Sequence, residues 1–201
     1  MEKIIILGHG GHAQSLIDAI ERQGIYDIAG YIVNDSSVVD NKEDYPVIGC
    51  DNDLSALYEE GIRNVAIGIG FLGKSTLRNK LYNKLKKIGY SFPVICDPSA
   101  IVSKKVIVEE GTFIGKGAIV NAGAKIGKMC IINTTAVIEH GCQVGDFSHI
   151  AVGTVLCGDV CVGCETLIGA NATVIQGRII GDRCIVPAGE VVRKNVLNEG
   201  Q

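Results

Sequence analysis

An aliphatic side chain returns at every sixth position from Val102 to Val192, sixteen times in succession and without an insertion. A period of six fits neither the 3.6-residue helix repeat nor plain two-residue alternation, so this half of the chain reads as a stack of short repeated units. With each hexad written so that its second residue is the aliphatic one, the sixth is small in fourteen of sixteen hexads from Ala100 onward, Arg178 and Glu190 being the exceptions. Two inward residues per short strand and three hexads per circuit predict a triangular coil of about 18 residues. About five such coils, spaced like neighbouring strands at about 4.8 Å, make a prism roughly 25 Å long. Gly115, Gly127, Gly145, Gly163, Gly169 and Gly181 hold the third position, where the pattern predicts a turn conformation that glycine adopts without steric penalty.

The residues before Ala100 follow a different rhythm. Lys3–Leu7 reads as a buried strand closed by Gly8-His9-Gly10-Gly11-His12, and Ala13–Gln23 shows helical spacing through Leu16, Ile17 and Ile20 before stopping at Gly24. Ile28–Val33 and Val65–Ile69 read as strands, Leu54–Glu60 and Thr76–Ile88 as helices, and Tyr90–Ile95 as a fourth strand. Alternation of this kind predicts a small Rossmann-like parallel sheet, an α/β domain over residues 1–95. Pro93 and Asp97-Pro98 mark the change to the hexad domain, residues 96–201.

Composition narrows the function classes. Hydrophobic residues make up 47% of the 201, yet only 5% are aromatic and none is Trp, which suits a narrow prism lined by aliphatic groups. A net charge of -3 with both signs interspersed gives no basic stripe for a phosphate backbone, so nucleic acid is not an expected partner. The longest early apolar run, Ile4–Leu7, is far below the roughly 20 residues of a membrane span and lacks the layout of a secretion signal. A cytoplasmic protein with no membrane association is expected. Of the eight cysteines, Cys130, Cys142 and Cys184 fall on the small inward position. Cys161-x-x-Cys164 has no second pair at zinc-ribbon spacing, so no metal is expected.

The hexads match the hexapeptide-repeat pattern, and that resemblance implies a left-handed parallel β-helix, a hand that periodicity alone does not supply. Asn133-Thr134-Thr135-Ala136-Val137-Ile138-Glu139-His140, followed by Gly145-Asp146-Phe147-Ser148-His149-Ile150, resembles the signature of bacterial sugar acetyltransferases of the PglD and NeuD type. Their small N-terminal α/β domain opens on a Gly-rich turn ending Gly-His, matched here by Gly11-His12. The resemblance therefore covers nearly the whole chain. It implies an acetyl-CoA-dependent enzyme, a homotrimer with active sites at subunit interfaces, and transfer of acetyl to an amino group of a UDP-linked deoxy-amino sugar. O-acetylation of sialic acid or a related sugar, and a non-catalytic β-helix scaffold, are the alternatives.

Acetyl transfer from a thioester needs a base for the nucleophile's proton and a donor for the tetrahedral oxyanion. The matching motif assigns the base to His140, in the fourth place of its hexad and so outside the inward positions. One coil further on lies Gly158, whose backbone N–H is the expected oxyanion donor. Several relatives carry an acid directly after this histidine; here that place is Gly141, and Glu139 is the candidate orienting group. The resemblance further assigns cofactor contacts to His149, Gly169, Ala170, Ala188 and Gly189. Arg183, Arg193 and Lys194 lie toward the expected nucleotide end of CoA.

Two motifs in the first domain admit other readings. Gly8-x-Gly10-x-x-Ala13 meets a loose dinucleotide fingerprint, with Asp35 near the end of the second strand. Amides at a helix start hold any diphosphate, however. The resemblance implies a sugar nucleotide, with Gly10, Gly11 and His12 at the sugar and diphosphate and Asn34 and Asp35 at the nucleoside. Gly68-Ile69-Gly70-Phe71-Leu72-Gly73-Lys74-Ser75 satisfies a P-loop pattern. Too little chain follows before the hexads for the acidic strand of an NTPase site. Gly68 and Arg78 are instead expected to border the sugar nucleotide.

Overall fold

The computed structural model describes residues 1–34, 44–73 and 76–197. It divides into two compact units: Met1–Gly70 with Thr76–Pro93, and Phe71–Ser75 with Val94–Gln201.

The first unit is a four-stranded parallel sheet, β1 (Glu2–Leu7), β2 (Tyr26–Val33), β3 (Val47–Cys50) and β4 (Asn64–Ile67), in the order β3-β2-β1-β4. Ile4, Ile5, Ile6 and Leu7 are all buried, as a central parallel strand covered on both faces requires. Helix α1 (Gly11–Gln23) buries Ala13, Leu16, Ile17, Ala19 and Ile20 and ends on Gly24, whose φ of 63° places its N–H 3.0 Å from Ile20 O. Helices α2 (Leu54–Glu59) and α3 (Leu77–Ile88) complete the unit.

Two elements differ from the sequence expectation. Tyr90–Ile95 is not a fourth strand of this sheet. Tyr90 is buried with its hydroxyl donating to Leu54 O at 2.8 Å, and Ser91 makes only an isolated bridge to Asn64. Pro93 then withholds the N–H that a ladder would need, and Ile95–Cys96 pairs with Phe113–Ile114 of the second unit. Conversely, β3 was not anticipated: four half-buried residues at a sheet edge carry too little alternation to register as a strand.

The second unit is a left-handed β-helix whose two-residue strands form three parallel sheets of five, six and six strands. Partners are one coil apart, as in Lys125 with Gln143 and Val137 with Val155. The column of Ile114, Val120, Ile126, Ile132, Ile138 and their successors fills the interior together with the small residues Ala118, Ala124, Cys130, Ala136 and Cys142.

The corners correct the glycine assignment. Left-handed φ belongs to the fifth hexad position, where every residue from Gly111 to Gly189 adopts it, including Met129, Thr135, Phe147, Asp159, Glu165, Asn171 and Arg183. The third-position glycines have ordinary φ and answer a different need, the approach of the next coil. A Cβ built on Gly145 would sit 2.6 Å from Gly163 C and 2.7 Å from Cys164 N. Backbone tied into a ladder does not yield as a side chain does, so Gly145→Ala is expected to destabilise the fold by about 1–3 kcal/mol. A thermal midpoint equal to wild type would show that the coils can spread.

Candidate active site

Hydrogen bonding around the coils decides which main-chain groups remain available. From Met129 to Gly189 the fifth-position N–H donates to the fourth-position carbonyl one coil back, as in Gly141 N–H to Ala122 O and Asp159 N–H to His140 O at 2.9 Å. First- and third-position N–H groups donate to the following coil, for example Cys157 N–H to Val174 O. Fourth-position N–H groups lie outside this scheme. Some are capped by side chains: Asp146 Oδ1 accepts from Lys128 N–H, Asp182 Oδ1 from Cys164 N–H, and Asn133 Oδ1 from Thr134 N–H. Those of Gly158, Ala170 and Ala188 have no partner among the described residues.

His140 stands on the same column as Gly158. Its ring is exposed and lies against the Gly158 backbone: a Cβ built on Gly158 would fall 2.5 Å from Cε1 and 2.7 Å from Nε2. The ring nitrogens make no hydrogen bond among the described residues. The arrangement thus sets a free imidazole beside a free amide, a proton acceptor and an anion donor one coil apart. Glu139 is held elsewhere. Its Oε1 accepts from Asn121 Nδ2 at 3.0 Å and its Oε2 from the main-chain N–H of His140 at 3.3 Å.

His149 is 8% exposed on another face. Its Nδ1 is 2.8 Å from Phe71 O and its Nε2 3.1 Å from Asn133 Nδ2. A carbonyl only accepts, so Nδ1 carries the proton; Nε2 is then left to accept from the Asn133 amide, whose oxygen is fixed by Thr134 N–H at 2.8 Å. In this tautomer the single N–H of the ring is spent on Phe71 O, and Nε2 offers only an acceptor, which Asn133 engages. Neither Asn133 nor Phe71 was marked by the sequence reading, although Asn133 opens the motif that pointed to His140.

In the first unit the Gly-rich turn and the 68–70 loop meet at the carboxyl end of the sheet, beside the point where strand order reverses between β1 and β4. A Cβ on Gly8 would meet Ile69 Cγ1 at 2.9 Å, and one on Gly68 would meet Ala13 Cβ at 2.6 Å. Around Gly10 and Gly11, by contrast, no atom lies within 4 Å of a built Cβ. Their own packing does not demand glycine, and the space above the helix start is open. His12 is half-buried beside Gly70, and Asn34 is exposed at the end of β2. Asp35, Lys74 and Ser75 lie outside the described residues.

Comparison with known proteins gives two family matches: the PglD N-terminal domain over residues 3–85, and the hexapeptide repeat of succinyl-transferase over residues 105–139 and 159–194. Among solved structures, PerB from Caulobacter crescentus in complex with CoA and GDP-perosamine is 35% identical, with 98% of this chain and 92% of that one covered at a TM-score of 0.91. A variant of perosamine N-acetyltransferase from the same organism, with a histidine replaced by asparagine, holds the same two ligands at 34% identity and TM-score 0.90, covering 98% and 90%. The acetyltransferase domain of PglB from Neisseria gonorrhoeae, in complex with acetyl coenzyme A, is 26% identical over 98% and 93% of the two chains, at TM-score 0.88. The chain belongs to the PglD-type hexapeptide-repeat sugar acetyltransferases.

In this acetyltransferase the residues that the sequence assigns to the cofactor fall on a different corner from His140. Ala170 and Ala188 stack one coil apart on the corner between the His149 sheet and the sheet of Val137 and Val155, whereas His140 and Gly158 occupy the next corner along. Six residues of extended chain span at most about 20 Å. Within the set, Gly169 N–H is already spent on Val186 O and Gly189 N–H on Ala170 O, leaving Ala170 and Ala188 as the free donors.

Arg78 is buried beneath the 68–70 loop, 3% exposed, and its Nη1 donates to Ile67 O at 3.2 Å and Ile69 O at 2.5 Å. It shapes that loop from below. Cys130, Cys142 and Cys184 are buried small core groups, and burial pushes the Cys142 thiol up to about 11. Among the described residues no group of His, Cys, Asp and Glu could hold a metal ion, and no helix is long and apolar enough to cross a membrane.

Proposed function

We propose that this enzyme acetylates the amino group of a nucleoside-diphosphate-linked deoxy-amino sugar, using acetyl-CoA directly and His140 as general base. The observation that carries the reading is the His140 ring resting against Gly158, whose N–H is unspent. The neutral amine attacks the thioester carbonyl carbon, and Nε2 of His140 takes the proton released as the C–N bond forms. Gly158 N–H steadies the tetrahedral oxyanion. The C–S bond then breaks, and the CoA sulfur leaves and is protonated by the imidazolium. No covalent enzyme intermediate is required.

Gly10, Gly11 and His12 at the start of α1 supply amides for the diphosphate, with Asn34 and Asp35 toward the nucleoside and Gly68 and the Arg78-supported loop beside the sugar. Ala170, Ala188, Gly169 and Gly189 line the pantetheine path, with His149 near the thioester. Because base and pantetheine donors sit on separate corners of one prism, the full site is assembled from two copies in a homotrimer. The aliphatic stripe of Ile101, Ile119, Val137, Val155 and Val191 between those corners supports such packing. Acetyl-CoA and sugar nucleotides as substrates support a cytoplasmic location.

The test is thioester consumption with GDP-perosamine, UDP-linked amino sugars, and free or CMP-linked sialic acid. Turnover is expected with an amino-sugar nucleotide. The sequence reading names UDP, while GDP-perosamine is the ligand of the 35% identical Caulobacter protein, and direct competition between the two decides the base. Turnover with sialic acid alone would replace N- by O-acetylation. Absence of CoA binding by calorimetry would leave a scaffold.

A further inference from the structure

The acid that follows the histidine in several relatives is Gly141 here, yet the space it would fill is not empty. A Cβ built on Gly141 would fall onto Oδ1 of Asp159, with Asp159 Cγ at 3.2 Å. The Asp159 side chain leans down from the following coil into the position where a residue-141 side chain would begin. Its main chain is fastened to the histidine as well, since Asp159 N–H donates to His140 O at 2.9 Å. Asp159 also follows Gly158 directly, the residue against which the imidazole rests. On the reading of His140 as base, we propose that Asp159 is its positioning acid, supplied from the next coil in place of the neighbour in sequence.

Three observations favour Asp159 over Glu139 for this role. Both carboxylate oxygens of Glu139 are committed, one to Asn121 and one to the main chain of His140. The Asp159 carboxylate is exposed and makes no hydrogen bond or ion pair among the described residues, so it can accept from Nδ1–H without first breaking a bond. Its location also matches that of the missing side chain, since its Oδ1 lies where a Gly141 Cβ would stand. The acid would favour the tautomer with the proton on Nδ1 and steady the imidazolium formed when Nε2 takes the substrate's proton.

The fold provides its own control. Asn171 stands in the same relation to Gly153, its Oδ1 falling where a Gly153 Cβ would be, and the residue before that glycine is Val152. An asparagine therefore fits such a corner, and D159N removes the charge while keeping the geometry. We expect D159N to lower kcat by about 10- to 100-fold, the usual cost of losing a group that orients another, with KM for acetyl-CoA within about twofold of wild type. Returning the acid to its place in the relatives, as G141D combined with D159G, is expected to recover activity that D159G alone loses. A merely structural role would not give that positional rescue. If H140A is inactive while D159N turns over like wild type and E139Q carries the loss, the assignment to Asp159 is overturned with the base intact. If H140A itself retains full turnover, the base reading has failed instead.

Discussion

Replacing His140 by alanine is expected to lower kcat by about 10²- to 10⁴-fold, the span that general-base catalysis ordinarily supplies. The ring is exposed, stands outside the aliphatic column and makes no hydrogen bond among the described residues. Its removal should therefore leave the thermal midpoint nearly unchanged, as surface substitutions usually fall within about 0.5 kcal/mol. CoA affinity, followed by calorimetry, should also persist, because Ala170 and Ala188, the donors proposed for pantetheine, lie on another corner. Loss of turnover together with retained fold and retained CoA binding is the pattern that marks a base. Turnover close to wild type would move the proton acceptor elsewhere.

Gly158→Ala is expected to cost nearly as much, although it removes no functional group. The new methyl would stand 2.5 Å from His140 Cε1 and 2.7 Å from Nε2, well inside contact distance, so the ring must swing away. A misplacement of about 1 Å is enough to cost on the order of 100-fold. The backbone itself accepts alanine, since Gly158 lies outside the left-handed corner position. Stability should hold, or rise by about 0.4–1 kcal/mol as the unfolded chain loses freedom. The decisive measurement is a double-mutant cycle: if the methyl acts through the ring, adding it to H140A changes turnover little. Additive losses would mean that Gly158 contributes independently of His140.

Much of this was legible in one dimension because a β-helix translates sequence period directly into space. The sixfold frame placed Val137, His140, Gly158 and Ala170 on their faces and corners before any coordinates. What it misjudged was the reason for glycine. A third-position glycine and a fifth-position glycine look alike in a sequence, but the first makes room for the next coil and the second adopts left-handed φ. Asp159 escaped because its partner is a residue that is absent; adding one coil to Gly141 would have found it. The Asn133 to His149 contact crosses between a corner and a face, and the anchoring carbonyl comes from Phe71, far away in the chain. No repeat encodes a contact of that kind. Arg78 adds what a loop motif alone does not carry: its side chain is buried and holds the 68–70 loop through the carbonyls of Ile67 and Ile69.

The coils that carry His140 and Gly158 are tied through the main chain, by Asp159 N–H to His140 O and Glu139 N–H to Leu156 O, and the side chains that fill the interior touch neither residue's outward face. Wear in the aliphatic column should accordingly shorten the enzyme's working life before it slows each cycle. Survivors of a heat challenge would retain the turnover number of fresh enzyme, and inherited drift in the interior would be invisible to selection on rate until folding itself began to fail.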